Sequence, residues 1–440
     1  MAIKSSVKKK PAKKPTQSAK KVAKVTAGKT KAKSTTTARR GSAPLPATIR
    51  AWWAARQGLD GSLGKLNSAE ILERTGWARS VGGVGPYLTF FSRAKIGRAA
   101  ADAAVAKQQL HELPAARGCT YVVPASDFAL ALKVGEQFGF RQEMRVAASL
   151  GVTEKEIDKL CDAVSKSLAK NVLEPDEIRT SVGSASRNLG EAGKKKGLTT
   201  TLPVALGKLQ SMGLIRRVPS NGRLDQQRYR YAAWPNCPLA KFKLSLDEAF
   251  VELALKFFRW IGPATLAEFR FFSALGVKAS EQAVASLGLM PITEQDERLM
   301  FPDDLDSLRS FKPPKEPSYS LVSGLDSIHA LRRNVSDLID PADEGIEVLG
   351  DRGHADLGAL SDLPEHAIFD RGRLIGLWVY DPETNKIVWV SWVKSTAALK
   401  AAVSETENFV RDQLGDARSF SLDSPKSRIP RINFLRKFGS

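Results

Sequence analysis

Arg216, Arg217, Arg223, Arg228 and Arg230 fall within one short stretch, interleaved with Tyr229 and Tyr231. Guanidinium groups among aromatic rings suit a polyanionic backbone, because each cation can neutralise a phosphate and release its counterions. Lys194, Lys195 and Lys196 stand just upstream, and Thr199, Thr200 and Lys208 lie between the two clusters. These residues are the candidate contacts to double-stranded DNA. The plainer alternative is a solvated hairpin in a basic protein, since charge runs usually lie on solvated faces.

Hydrolytic and metal chemistry leave no comparable pattern. The histidines, His111, His329, His354 and His366, are scattered without ligand spacing. His111-Glu112 is followed by Ala115 where a zinc-protease helix needs a second histidine, and Pro114 disfavours a helix there. Cys119, Cys161 and Cys237 lie far apart, as reduced thiols of a cytosolic protein do. Gly28-Lys29-Thr30 resembles the end of a phosphate loop, but Ala23 occupies the required upstream glycine position. No metal and no cofactor are expected. No run of 18 apolar residues suggests a membrane span.

The basic stretch needs a scaffold, and its neighbours supply one. Leu202, Leu206 and Leu209, with Ala205 and Met212, line one face at helical spacing. Thr201 can cap that helix, Pro203 fits its first turn, and Gly213 suits its end. Two strands around Asn221-Gly222 then read as a tight hairpin, and a helix running into a basic hairpin is a winged helix. Three segments follow this logic: 46–135, 150–235 and 245–310. In the third, Glu294, Asp296 and Glu297 make the turn acidic and unsuited to phosphate. After the proline-rich 311–317 the period changes to two, with strands near 367–369, 374–380 and 386–392 and a helix over 397–414. Residues 317–440 are expected to form a β-rich, barrel-like domain. The fold class is therefore α+β: three tandem winged-helix units and a C-terminal barrel-like domain.

Of the 67 Lys and Arg residues, 14 lie in residues 1–44, which hold no Asp or Glu, so most of the +20 formal charge sits in one tail. Rich in Lys, Ala, Thr, Ser and Pro, residues 1–45 have too little apolar surface to offset ordering and are expected to be disordered. They would act as a polycation for nucleic acid, or more plainly as a solubilising leader.

Several phrases, taken in order, resemble the winged-helix family of AlkZ and YcaQ type, bacterial DNA glycosylases that unhook interstrand cross-links. They are residues 53–59 (WAARQGL), 117–126 (RGCTYVVPAS), 257–269 (FFRWIGPATLAEF), 321–333 (LVSGLDSIHALRR) and 370–378 (DRGRLIGLW). The resemblance implies three winged helices around a C-terminal barrel, forming a basic DNA channel. It also implies a Gln-x-Gln or Gln-x-Asp pair that activates a water at the glycosidic bond. Here that motif falls on Arg79-Ser80-Val81 or, in a second placement, on Thr75-Gly76-Trp77, with neither glutamine nor carboxylate. The glycines of 82–85 could let backbone approach a phosphate, or simply join two helices.

The first expectation is a cytoplasmic, nucleoid-associated protein that binds duplex DNA, damaged or not, without the family's catalytic pair. The second is an active glycosylase using Arg79, Ser80 and a C-terminal carboxylate, with Asp326 the first candidate. The plainer role for Asp326 is a turn or cap. The third is a transcription regulator.

Overall fold

The structure is a computed structural model that describes residues 44–438 with the exception of residue 351. The expected tail therefore lies, but for its last two residues, outside the described part, as does Gly28-Lys29-Thr30. Ala43–Ser440 forms one compact unit.

The chain is mixed α and β. Helix Pro46–Arg56 anchors its indoles on a neighbouring turn, where Trp52 and Trp53 donate to the carbonyls of Gly262 (2.9 Å) and Pro263 (3.2 Å). Helix Ser68–Thr75 starts at the Asn67/Glu70 capping box that the sequence announces. Strands Ala78–Arg79, Thr120–Pro124 and Leu110–Pro114 then form an antiparallel sheet with Thr120–Pro124 in the middle. Helix Phe128–Gly135 packs beside it.

The next segment gathers helices Glu154–Leu168, Pro175–Val182 and Leu202–Ser211 with strands Ile215–Pro219 and Tyr229–Ala233. Leu160, Val164, Leu206, Leu209 and Ile215 bury one common core. Two local expectations differ. Thr201 makes no cap bond to its own helix; its hydroxyl instead accepts the amide of Arg187 at 3.0 Å. The strands are joined by residues 220–228 rather than by a tight turn, although Gly222 has the positive φ (+74°) that the Asn-Gly pair supplies.

Helix Leu246–Ile261 inserts Phe250, Phe257 and Trp260 beside Trp77, Tyr121 and Phe128, fusing this part with the first sheet in one core. Helices Leu266–Ser273 and Val277–Val284 and the short pair Met290–Pro291 and Leu299–Met300 follow.

The C-terminal sheet is four-stranded and antiparallel, in the order Lys386–Ser391, Arg373–Asp381, His366–Asp370, Tyr319–Val322. Its outer strands do not pair with each other, so no closed barrel exists among the described residues, which corrects that expectation. Helices cover the sheet instead. Phe91 of helix Gly85–Ala94 stacks on Phe409 of helix Ala397–Phe409 at 3.9 Å, closing a core against Trp378 and Tyr380. Among the described residues no helix is long and apolar enough to cross a membrane.

Candidate functional site

Strand Ala78–Arg79 separates two environments, because successive side chains leave a strand on opposite faces. Arg79 is registered with Tyr121 and lies over its ring, 5.3 Å from the centroid. It opens onto a cleft of about 730 Å³ whose walls include Trp77, Tyr121, Phe271 and Phe272. Burial pulls the Arg79 pKa below its ordinary value, helped by the neighbouring charge of Arg117. Its Nη1 is buried and has no hydrogen-bond partner among the described residues.

Two more arginines frame the cleft, and both guanidinium groups lie over Phe271, Arg117 at 3.8 Å and Arg333 at 4.0 Å. Both residues have left-handed backbone, with φ of +60° and +55°. Arg333 is held by Asp362, to which its Nε donates at 2.9 Å. Across the cleft Arg431 lies between Asp423 and Glu365, and Asp423 also accepts the Ser419 amide at 2.9 Å. Burial pushes the Glu365 carboxyl up to about 8 despite Arg431.

Ser80 faces away from Arg79. Its hydroxyl donates to the buried Glu112, which also accepts the Tyr229 hydroxyl at 3.4 Å. Burial pushes Glu112 up to about 7, and its Oε2 has no hydrogen-bond partner among the described residues. In the sequence Glu112 stands out only in an incomplete zinc-protease spacing; pairing of strands 110–114 and 120–124 is what brings it to Ser80.

Asp326 stands apart from both. Its carboxylate takes two 2.8 Å bonds from Arg93, and both side chains are fully buried. It also accepts the Ile328 amide at 3.1 Å, the capping role that was the plainer expectation. Arg93 in turn donates to Gln57 (2.8 Å), whose amide donates to the carbonyls of Thr75 (2.9 Å) and Trp260 (3.0 Å). Burial pushes the Asp326 carboxyl up, but the Arg93 charge and hydrogen bonds, with the Ile328 amide, outweigh it and hold the carboxyl below its ordinary value. Arg79, Ser80 and Asp326 thus do not converge.

The basic stretch divides as well. Arg216 packs on Trp234 and Arg217 on Tyr229, with ring distances of 5.9 and 5.1 Å. Arg228 is exposed and Arg230 half-buried. Arg223 turns inward, chelating Asp225 and donating to the Leu414 carbonyl at 2.9 Å. Lys194, Lys195 and Lys196 are exposed, with Lys196 on the Ser149 hydroxyl at 2.7 Å, and Lys208 is paired with Asp158. Thr199 is exposed, while Thr200 and Arg217 meet in a second cleft of about 430 Å³ with Arg179 and Gln210. The glycine turn is filled by backbone. A Cβ on Gly83 would stand 2.2 Å from the Ser419 carbonyl, and the Ser421 amide donates to Val81 at 2.9 Å.

Comparison with known proteins gives a family and a fold. The model of a family described as DNA glycosylase AlkZ-like matches residues 84–411. Among solved structures the Streptomyces sahachiroi DNA glycosylase AlkZ superposes with a TM-score of 0.63 at 17% identity, over 85% of this chain and 98% of that one. Comparison of the sequence with curated proteins finds none that matches.

Proposed function

The chain belongs to the DNA glycosylase AlkZ-like family, and from that membership we propose that it recognises duplex DNA, damaged or distorted, without hydrolysing the glycosidic bond. The supporting observation is Arg79. It lies where the resemblance places the first water-positioning glutamine, and it opens onto the aromatic cleft. Cleaving the bond needs an acceptor that aligns water and a group that stabilises a positively charged sugar. Arginine has only donors and a like charge. The carboxylates at the cleft wall are engaged, Asp362 by Arg333 and Asp423 by Arg431.

In this reading the three helix–hairpin segments, 46–135, 150–235 and 245–310, act as winged helices, and residues 317–440 support them. Phosphate contacts from Arg216, Arg217, Arg228, Arg230 and the Lys194–Lys196 run supply most of the affinity. The protein would work at the nucleoid in the cytoplasm.

The test is incubation of the full chain with duplexes bearing alkylated or cross-linked bases, followed by alkali and a denaturing gel. Binding without alkali-dependent breaks is the expected result. Breaks above a no-protein control would overturn it, and their loss in Asp423→Asn would identify a substitute catalytic carboxylate.

A further inference from the structure

Helix Phe140–Ala148 lies between the first two helix–hairpin segments and belongs to neither. It covers helix Leu202–Ser211. Ala147 is buried in the core that holds Leu206 and Leu209, and Met144 and Val146 pack against that core. The two helices meet closely at Gly207, where a Cβ would stand 3.0 Å from the Cβ of Phe140. Helix–turn–helix proteins lay a recognition helix in the major groove, and in the winged-helix reading Leu202–Ser211 holds that position. Here it is sandwiched between the covering helix and helix Glu154–Leu168. Pro203 is its one exposed side chain, and its single cation, Lys208, is paired with Asp158.

The covering helix offers what the covered one lacks. Arg141, Arg145 and Ser149 follow at four-residue spacing, which sets them in one stripe about 6 Å apart along the axis. Both arginines are exposed, and neither makes an ion pair among the described residues. Glu154 is the carboxylate that shares a groove with them, while Glu143 lies on the other flank of the helix and lines the cleft that holds Arg217. The Ser149 hydroxyl accepts the Lys196 ammonium at 2.7 Å, so the stripe continues into the Lys194–Lys196 run.

We infer that helix Phe140–Ala148 replaces the covered helix as the second segment's contact to DNA, with Arg141, Arg145 and Lys196 set along the phosphates of one strand. The inference deepens the proposed duplex binding and rests on it. Guanidinium groups take phosphate through charge-assisted hydrogen bonds, and such contacts fix position without reading bases. This segment therefore grips duplexes of any sequence alike.

Salt-titrated anisotropy of the full chain with two labelled duplexes of unrelated sequence tests this. Arg141→Gln with Arg145→Gln should weaken both duplexes alike, about tenfold at roughly 0.1 M salt, and lower the salt slope by about 0.9 for each arginine. Arg141→Lys with Arg145→Lys should keep the slope, because counterion release follows charge. Lys208→Gln, on the covered helix, should change neither affinity nor slope. Both arginines are exposed, so the melting temperature of their variants should stay at the parent's. Duplex binding whose slope survives the glutamine pair, or falls as much in Lys208→Gln, overturns the inference and leaves the proposed function standing. Loss on only one of the two duplexes would make the helix a reader of bases and overturn the backbone role. An unchanged slope, with labelled poly-glutamate binding that the glutamine pair abolishes, would assign the face to an acidic protein instead. A parent that binds no duplex overturns the proposed function and this inference with it.

Discussion

Glu112 ionises near its ordinary value in the unfolded chain but only near pH 7 in the fold, where burial outweighs the Ser80 and Tyr229 hydroxyls. The native state therefore binds more protons between about pH 4.5 and 7, and stability must fall as pH rises through that window. Glu112→Gln keeps the acceptor for Ser80 without the buried charge. It should be more stable than the parent at pH 8, by on the order of 2 kcal/mol, and equal to it near pH 4.5. Urea unfolding at the two pH values reads the difference, and equal stability at pH 8 would show that Glu112 is solvated. Asp326 has the opposite sign. Its folded pKa is depressed by Arg93, so its contribution is present above the unfolded value and lost as pH falls through the folded one. Asp326→Asn leaves the Arg93 guanidinium buried with its charge unpaired and should cost about 3–5 kcal/mol in urea unfolding. A loss below 1 kcal/mol would mean that the pair is open to water. Asp326 could be singled out in the sequence because it lies inside the family-like phrase 321–333. Its partner, 233 positions away, could not.

Elements set by adjacent residues were the legible ones. The capping box at Asn67/Glu70 marks an observed helix start, since the bonds that define it span three residues, and the structure adds boxes of the same kind at Ser245/Glu248 and Thr265/Glu268. Strand Leu110–Pro114 was not legible, because its ladder depends on Thr120–Pro124 rather than on its own short run. The hairpin strands pair as expected, but the tight turn between them does not form, for the same reason. Asn221-Gly222 is a turn signal, yet the tip is drawn away by Leu224, which is wholly buried among residues of the first and last segments. The Leu224 amide donates to the Tyr87 hydroxyl at 2.8 Å, and Arg418 donates to the Asp225 carbonyl at 2.5 Å. Its tip is therefore clamped to the rest of the unit, with Arg223 inside the clamp. Leu224→Ala should cost about 2–4 kcal/mol by chemical denaturation, as for other buried leucines. Replacing Arg216 and Arg217 together by alanine should instead leave stability near the parent's and reduce the salt slope of DNA binding by roughly one unit per lost phosphate contact. Salt-titrated anisotropy separates the two arginines from the interface if the slope does not change.

At the scale of the whole molecule, Gln57, Arg93 and Asp326 link three distant stretches of sequence in one buried network. Trp52 and Trp53 tie the first helix to the turn after Ile261, and a Cβ on Gly372 would collide with the Arg50 carbonyl at 1.9 Å. The cleft is assembled only by this interlock, with Arg79 and Arg117 from the first segment, Phe271 from the third and Arg431 from the last helix. The cores found among the described residues are built from side chains beyond residue 44, and the sequence before them is residues 1–44. Those residues nonetheless carry 14 of the cations and no acid. Charge without core should act on DNA affinity and not on folding: each phosphate that the tail neutralises adds about 0.9 to the slope of log affinity against log salt. Deleting residues 1–44 should therefore lower duplex affinity strongly at low salt, flatten that slope, and converge with the full chain as salt rises. The melting temperature should stay within error. Parallel anisotropy and calorimetry on the two proteins decide the matter. A drop of several degrees on deletion would place the tail in the packing of the fold, and an unchanged slope would remove it from the DNA.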